Sequence, residues 1–103
     1  MAIELTTNNF RDFVSRNDIV LVDFWAPWCS PCLLIAPIIE ELEKEMPDVR
    51  FAKVNVDENQ EIASMFGIMS IPTLMIFKGG ETVDMIIGVI AKDALKERLL
   101  RHM

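Results

Sequence analysis

The sequence predicts an α/β fold, a central mixed β-sheet with helices on both faces. Three observations carry that prediction. Short runs rich in β-branched residues alternate with stretches whose apolar side chains recur at helical spacing. The run Ile19–Trp25 is apolar except at Asp23, as a strand covered on both faces reads. Gly79-Gly80 separates two strand-like runs near the end of the chain, a hairpin signal that adds antiparallel strands to the sheet.

Each element has its own justification. Ile3-Glu4-Leu5 reads as a short edge strand. Thr6 or Thr7 is expected to cap a helix that carries Phe10, Phe13 and Val14 on one face, and Asn17-Asp18 stops it. After the strand Ile19–Trp25, a second helix starts around Cys29 and Cys32. It places Ile35, Ile38, Ile39, Leu42 and Met46 at helical spacing, and Pro47 ends it. Pro37 lies inside it, where it removes one backbone bond and is expected to kink the helix.

Phe51 to Val56 reads as a strand. Asp57 is expected to cap a short helix with Ile62, Met65 and Phe66, closed by Gly67 in the left-handed conformation. Thr73 to Phe77 and Thr82 to Ile87 form the hairpin around Gly79-Gly80. Asp93 to Arg101 closes the chain as an amphipathic helix with Leu95, Leu99 and Leu100 inward. Asp93 early and Arg101 late suit its macrodipole. The order β-α-β-α-β-α-β-β-α implies right-handed parallel crossovers before the hairpin.

The chain has 103 residues, and 51% of them are hydrophobic. That length suggests a single domain over residues 1–103, with a core that needs no staple to fold. The net charge of −6, with no basic cluster, argues against a nucleic-acid partner. No apolar run approaches the ~20 residues of a membrane span. The start Met1-Ala2-Ile3-Glu4 shows no basic and apolar leader pattern. The expected setting is the cytoplasm, without membrane attachment.

Both cysteines fall in Trp28-Cys29-Ser30-Pro31-Cys32, too few for a secreted disulfide scaffold. Thiols two residues apart at a strand-to-helix turn can open and close a disulfide at little conformational cost. A structural bridge and half of a zinc site are the other readings of such a pair. Zinc needs about four ligands, and the only other strong soft ligand is His102 near the end of the chain. No metal is therefore expected.

The element order, with Val22-Asp23-Phe24-Trp25-Ala26-Pro27-Trp28-Cys29-Ser30-Pro31-Cys32, Ala36-Pro37, Lys53-Val54-Asn55-Val56-Asp57, Ile71-Pro72-Thr73 and Phe77-Lys78-Gly79-Gly80, resembles the thioredoxin family. The likeness spans essentially the whole chain. It implies a protein-disulfide reductase with no cofactor beyond a reversible Cys29–Cys32 disulfide. It also implies protein substrates that carry disulfides, a thioredoxin reductase as electron donor, and a monomer.

Cys29, at a helix N-terminus, is expected to be the exposed nucleophile with a lowered pKa. Cys32, one turn deeper, is expected to resolve the mixed disulfide. The resemblance implies that Asp23 is the buried acid that handles the Cys32 proton, with Lys53 as its partner. It further implies a cis Ile71–Pro72 peptide facing the disulfide. Trp28, Ser30, Pro31, Ile71, Pro72, Gly88 and Val89 would then form the substrate surface around Cys29.

Other residues have plainer expectations. Trp25 packs in the core, and Glu40, Glu41, Glu43 and Glu45 form a solvated helix face on which Glu40 pairs with Lys44. His102 is expected to be an exposed tail residue. Two further activities share the fold: a disulfide oxidase or isomerase, and a binding or chaperone module with incidental thiols. The dipeptide between the cysteines lacks the histidine typical of the oxidases and isomerases.

Ser30 stands where the family usually has glycine, and Leu33 where lysine is common. The Ser30 hydroxyl is expected to hydrogen-bond a Cys29 thiolate, which lowers its pKa and makes the disulfide more oxidising. Ser30→Gly should therefore shift the equilibrium potential, measured against glutathione, to a more reducing value. An unchanged potential would contradict this role.

Overall fold

The computed structural model describes residues 2–103. Its elements follow the expected order: β1 (Ile3–Leu5), α1 (Phe10–Arg16), β2 (Ile19–Trp25), α2 (Ser30–Glu45), β3 (Arg50–Asn55), α3 (Gln60–Met65), β4 (Thr73–Lys78), β5 (Glu81–Ile87) and α4 (Lys92–Arg101). The strands lie in the order β1-β3-β2-β4-β5. β1, β3 and β2 run parallel, β4 is antiparallel to β2, and β5 to β4. Gly79 and Gly80 have φ of 59° and 86°, which a two-residue hairpin turn with both central residues left-handed requires.

The period-two alternation of β2 divides the core. Ile19 and Leu21 join Ile35, Ile39 and Leu42 of α2 and Leu95 and Leu99 of α4. Val20, Val22 and Phe24 face the other way, onto Phe10 and Val14 of α1 and Ile62 of α3. Phe10, Phe24, Phe66 and Phe77 meet there as a cluster of tilted and edge-on rings, 5.3–6.2 Å between the centroids in contact. Asp23 has the parity of Leu21 and so belongs to the α2 face.

The structure corrects several local expectations. Asn9, not Thr6 or Thr7, is the N-cap of α1, and its side chain turns back to accept from the Thr6 N–H at 2.7 Å. Asn59, not Asp57, precedes α3. It is buried because its amide bridges two segments. It donates to the Asn55 carbonyl at 3.0 Å and accepts from the Thr7 N–H at 3.0 Å. Leu100 is exposed, since Leu95 and Leu99 already fill the inward stripe of α4.

The acidic face of α2 is partnered by α4. Lys92 reaches Glu41 at 3.3 Å and Glu45 at 2.7 Å, and Lys96 reaches Glu45 at 3.1 Å. Among the described residues, Glu40 and Lys44 form no ion pair. α2 runs as one continuous helix across Pro37. Gly67 has φ of 64°, as its place after α3 requires.

His102 is not a free tail residue. Its Nε2 lies 3.0 Å from Asp84 Oδ2, and Arg98 donates through Nε to the same carboxylate at 2.7 Å. A second Arg98 nitrogen contacts Asp84 Oδ1, which also accepts from the Met85 N–H at 2.9 Å. The last helix is thus tied to the edge strand. The Arg98 guanidinium leads the effects that hold the Asp84 carboxyl far below the usual carboxylate range.

A carboxyl with a depressed pKa in the folded state stabilises above its unfolded pKa and loses that contribution as pH falls. Asp84→Asn should lower the melting temperature at pH 7 by roughly 5 °C. The gap to the parent protein should narrow as pH drops below 4, because the unfolded parent takes up a proton there while the folded carboxylate, held far below the usual range, stays charged. Melting curves at pH 7, 4 and 3 check this.

Candidate functional site

Strand register brings the site together at one edge of the sheet. β2 and β3 are parallel, with Trp25 opposite Asn55, so the loops that leave them are neighbours. The first carries Trp28 and Cys29 and leads into α2, whose first turn holds Cys32, and the second carries Asp57. β4 runs the other way, with Thr73 opposite Phe24, so the Ile71–Pro72 peptide that opens it arrives beside the end of β2. Ile87 of β5 lies opposite Thr73, which brings Gly88 to the same edge.

Cys29 and Cys32 form a disulfide with Cα atoms 5.3 Å apart. Cys29 is the N-cap of α2, and its sulfur accepts from the Cys32 N–H at 3.2 Å. That N–H is one of the unpaired donors of a helix start, and it favours negative charge on the Cys29 sulfur. Cys29 is nearly as buried as Cys32, at 4% and 3% exposure, contrary to the exposed thiol expected. Its sulfur is bonded to that of Cys32, and Ile71 packs against the pair. The Ile71 carbonyl oxygen lies 3.7 Å from that sulfur.

The Ile71–Pro72 peptide is cis, as the family resemblance implies. The Thr73 hydroxyl donates to the Ser70 carbonyl, and the Gly88 N–H donates to the Pro72 carbonyl at 2.8 Å. Gly88 has φ of 91°, a conformation that L side chains rarely adopt. Trp28, Ser30 and Pro31, which adjoin the cysteines in the chain, are exposed, as is Val89; Ile71 and Gly88 are half-buried, and Pro72 is buried. Among the described residues, the Ser30 hydroxyl has no hydrogen-bond partner in the disulfide form.

Sequence reasoning missed the anchor of Trp28. Its indole N–H donates to Asp57 Oδ2 at 2.8 Å, so Asp57 holds the ring beside the disulfide rather than capping a helix. The signal was topological, because parallel β2 and β3 deliver both loops to one edge.

Asp23 is 7% exposed, and its Oδ1 has no hydrogen-bond partner. It lines a cleft of about 200 Å³ with Trp25, Cys32, Leu33, Ala36 and Lys53. Lys53 lies opposite Asp23 in register, but its ammonium sits over the Trp25 ring, 5.2 Å from the centroid. Trp25 is thus half-buried at the wall of this cleft, not enclosed in the core. Among the described residues no ion pair joins Lys53 to Asp23. Burial pushes the Asp23 carboxyl up to about 7, and the Lys53 charge only partly opposes that rise. A carboxyl with this pKa can give or take a proton near neutral pH. Among the described residues, no three His, Cys, Asp or Glu side chains are placed to hold a metal.

A family model described as Thioredoxin matches residues 1–101. The chain is 47% identical to thioredoxin of Bacillus subtilis (strain 168) over 104 residues, with 100% of each covered. It superimposes with a TM-score of 0.92 on a mutant thioredoxin from Halobacterium salinarum NRC-1, at 38% identity, over 98% of this chain and 89% of that one. A structure titled for the thiol resolving mechanism of yeast mitochondrial 1-Cys peroxiredoxin via glutathione/thioredoxin systems matches at 34% identity. Its TM-score is 0.91, over 97% of this chain and 94% of that one.

The raised Asp23 pKa has a consequence for stability. An acid with a pKa higher folded than unfolded costs stability above its unfolded pKa, and the cost is complete above the folded one. Relative to the parent, Asp23→Asn should gain stability as pH rises from 4 and level off above pH 7. The gain should reach about 4 kcal/mol beyond any difference at pH 4. Urea unfolding of the disulfide form from pH 4 to 8 measures this.

Proposed function

The chain belongs to the thioredoxin family and is a protein-disulfide reductase, and on that premise we propose how its own residues divide the reaction. The observation that carries the proposal is the cleft in which Asp23 and Cys32 meet behind the Cys29 end of α2.

In the reduced protein, the start of α2 stabilises the Cys29 thiolate. That thiolate attacks one sulfur of a substrate disulfide. A bond forms from Cys29 to the substrate, the substrate S–S bond breaks, and the departing thiolate takes a proton from water. The Cys32 thiol then gives its proton to the Asp23 carboxylate. A cleft of about 200 Å³ has room for water to bridge the two, since a water occupies roughly 30 Å³ of liquid. The Cys32 thiolate attacks the Cys29 sulfur, the mixed S–S bond breaks as the Cys29–Cys32 disulfide closes, and the second substrate sulfur leaves as a thiolate that takes a proton from water. Two electrons leave the dithiol and two substrate thiols are made. Lys53 acts by limiting how far burial raises Asp23.

The exposed ring of Trp28 and the segment Ile71–Pro72, with Gly88 and Val89, form the surface where the substrate lies. The bare approach over Gly88 and the Ile71 backbone suits an extended segment laid alongside as an added strand. Disulfide-bearing proteins are the substrates, a thioredoxin reductase restores the dithiol, and the protein works as a cytoplasmic monomer. No described helix is long and apolar enough to cross a membrane.

Insulin reduction driven by dithiothreitol tests the assignment. Cys29→Ser should fall to the uncatalysed background, and Cys32→Ser should stall as a mixed disulfide visible by mass. Asp23→Asn should slow release from that intermediate by roughly tenfold to a hundredfold near pH 7. The deficit should shrink above pH 9, where hydroxide deprotonates Cys32 directly. Equal rates for Cys29→Ser and the parent would instead point to a binding module.

A further inference from the structure

Met69 is 96% exposed, more than any other large apolar side chain among the described residues. It lies in the loop between α3 and β4, two residues before Ile71. The Ile71 carbonyl oxygen is 3.7 Å from the Cys29 sulfur. Two residues of chain span at most about 7 Å, so Met69 stands at the rim of the surface that carries the disulfide. The Thr73 hydroxyl fastens this loop at the Ser70 carbonyl. A fully solvated thioether beside a docking surface gains nothing for the core. It does present a sulfur to any oxidant in solution.

We infer that Met69 is a modification site for hydroperoxides, and that its oxidation weakens docking of protein substrates. The inference rests on the reductase reading above. The Met69 sulfur attacks the outer oxygen of the peroxide, and the O–O bond breaks as the S–O bond forms. Sulfur loses two electrons, the peroxide is reduced to water or an alcohol, and the product is methionine sulfoxide. The step turns a flexible apolar side chain into a polar one.

The rest of the molecule favours this sulfur over its neighbours. Met75 and Met46 are enclosed, at 2% and 5% exposure. Met65 is half exposed, and its sulfur is engaged by the Arg11 guanidinium at 3.5 Å. Met85 and Met103 are less than half exposed, at 42% and 49%. In the disulfide form no cysteine is free to react first.

The chemistry of exchange does not touch Met69, so its oxidation acts on binding alone. The KM for a protein disulfide should rise by roughly threefold to thirtyfold with kcat unchanged, as expected when apolar contact is lost at the rim. Reduction of a small aromatic disulfide, which needs no rim, should keep its rate. Peroxide acting on the disulfide form would thereby lower the flux of electrons to large partners once the dithiol is restored.

The test treats the disulfide form with graded hydrogen peroxide and maps sulfoxides by peptide mass. Kinetics are then followed on insulin and on 5,5′-dithiobis(2-nitrobenzoate). Met69 should oxidise before Met65, Met85 and Met103, and the insulin KM should rise with its sulfoxide fraction. Met69→Leu should show the same insulin KM before and after peroxide, and Met69→Gln should show a raised KM without peroxide. Earlier oxidation of another described methionine would overturn the inference. So would an unchanged KM at full Met69 oxidation, an equal peroxide effect in Met69→Leu, or parallel loss with both substrates. Failure of the untreated protein to reduce either disulfide would instead overturn the reductase reading, and the docking claim with it.

Discussion

The two-sided burial of β2 is the constraint on which the rest depends. It is the middle strand of five, so every side chain from Ile19 to Phe24 is enclosed. Its alternation leaves no freedom. Moving Asp23 to the other face would carry Ile19 and Leu21 with it. The carboxylate therefore lies on the α2 side, among groups that cannot solvate it. Its raised pKa follows from that place in the strand, and so does its access to the cleft beneath Cys32.

The same strand fixes the rest of the site by register. Its C-terminal end launches the loop to Cys29. Parallel β3 brings Asp57 alongside, and antiparallel β4 brings the cis Ile71–Pro72 peptide from the opposite direction. Three chain segments distant in sequence thus meet at one edge. Each supplies a different part: thiols and dipole from α2, an anchor for Trp28 from the β3 loop, and an open backbone from the start of β4. In the proposed mechanism Asp23 handles the proton on one side of the thiols and the substrate docks on the other, so binding and proton transfer can vary independently.

Much of this was legible in the sequence because strands and helices announce themselves by periodicity. β2 was visible from an apolar run interrupted only at Asp23, the hairpin from Gly79-Gly80, and α2 from the spacing of Ile35, Ile39 and Leu42. What escaped was side-chain geometry across long separations. Asn9 rather than a threonine begins α1, because the choice depends on how the Asn9 amide turns toward the Thr6 N–H. Glu45 pairs with Lys92 and Lys96 across the contact of α2 and α4, which no i,i+4 rule reveals. His102 looked idle because Asp84, eighteen residues earlier, comes to it only through the packing of α4 on β5. Cys29 looked exposed because the sequence does not say that Ile71, 42 residues later, packs against it.

The central claim is that burial in β2 poises one carboxyl for proton transfer at neutral pH. The direct measurement is a carbon-13 NMR titration of the Asp23 carboxyl in the disulfide form, with Asp23→Asn to assign the signal. A midpoint near 7, as its burial requires, supports the account. A midpoint near 4, in the ordinary aspartate range, would contradict it, because Asp23 would then be a solvated anion unable to hold the Cys32 proton.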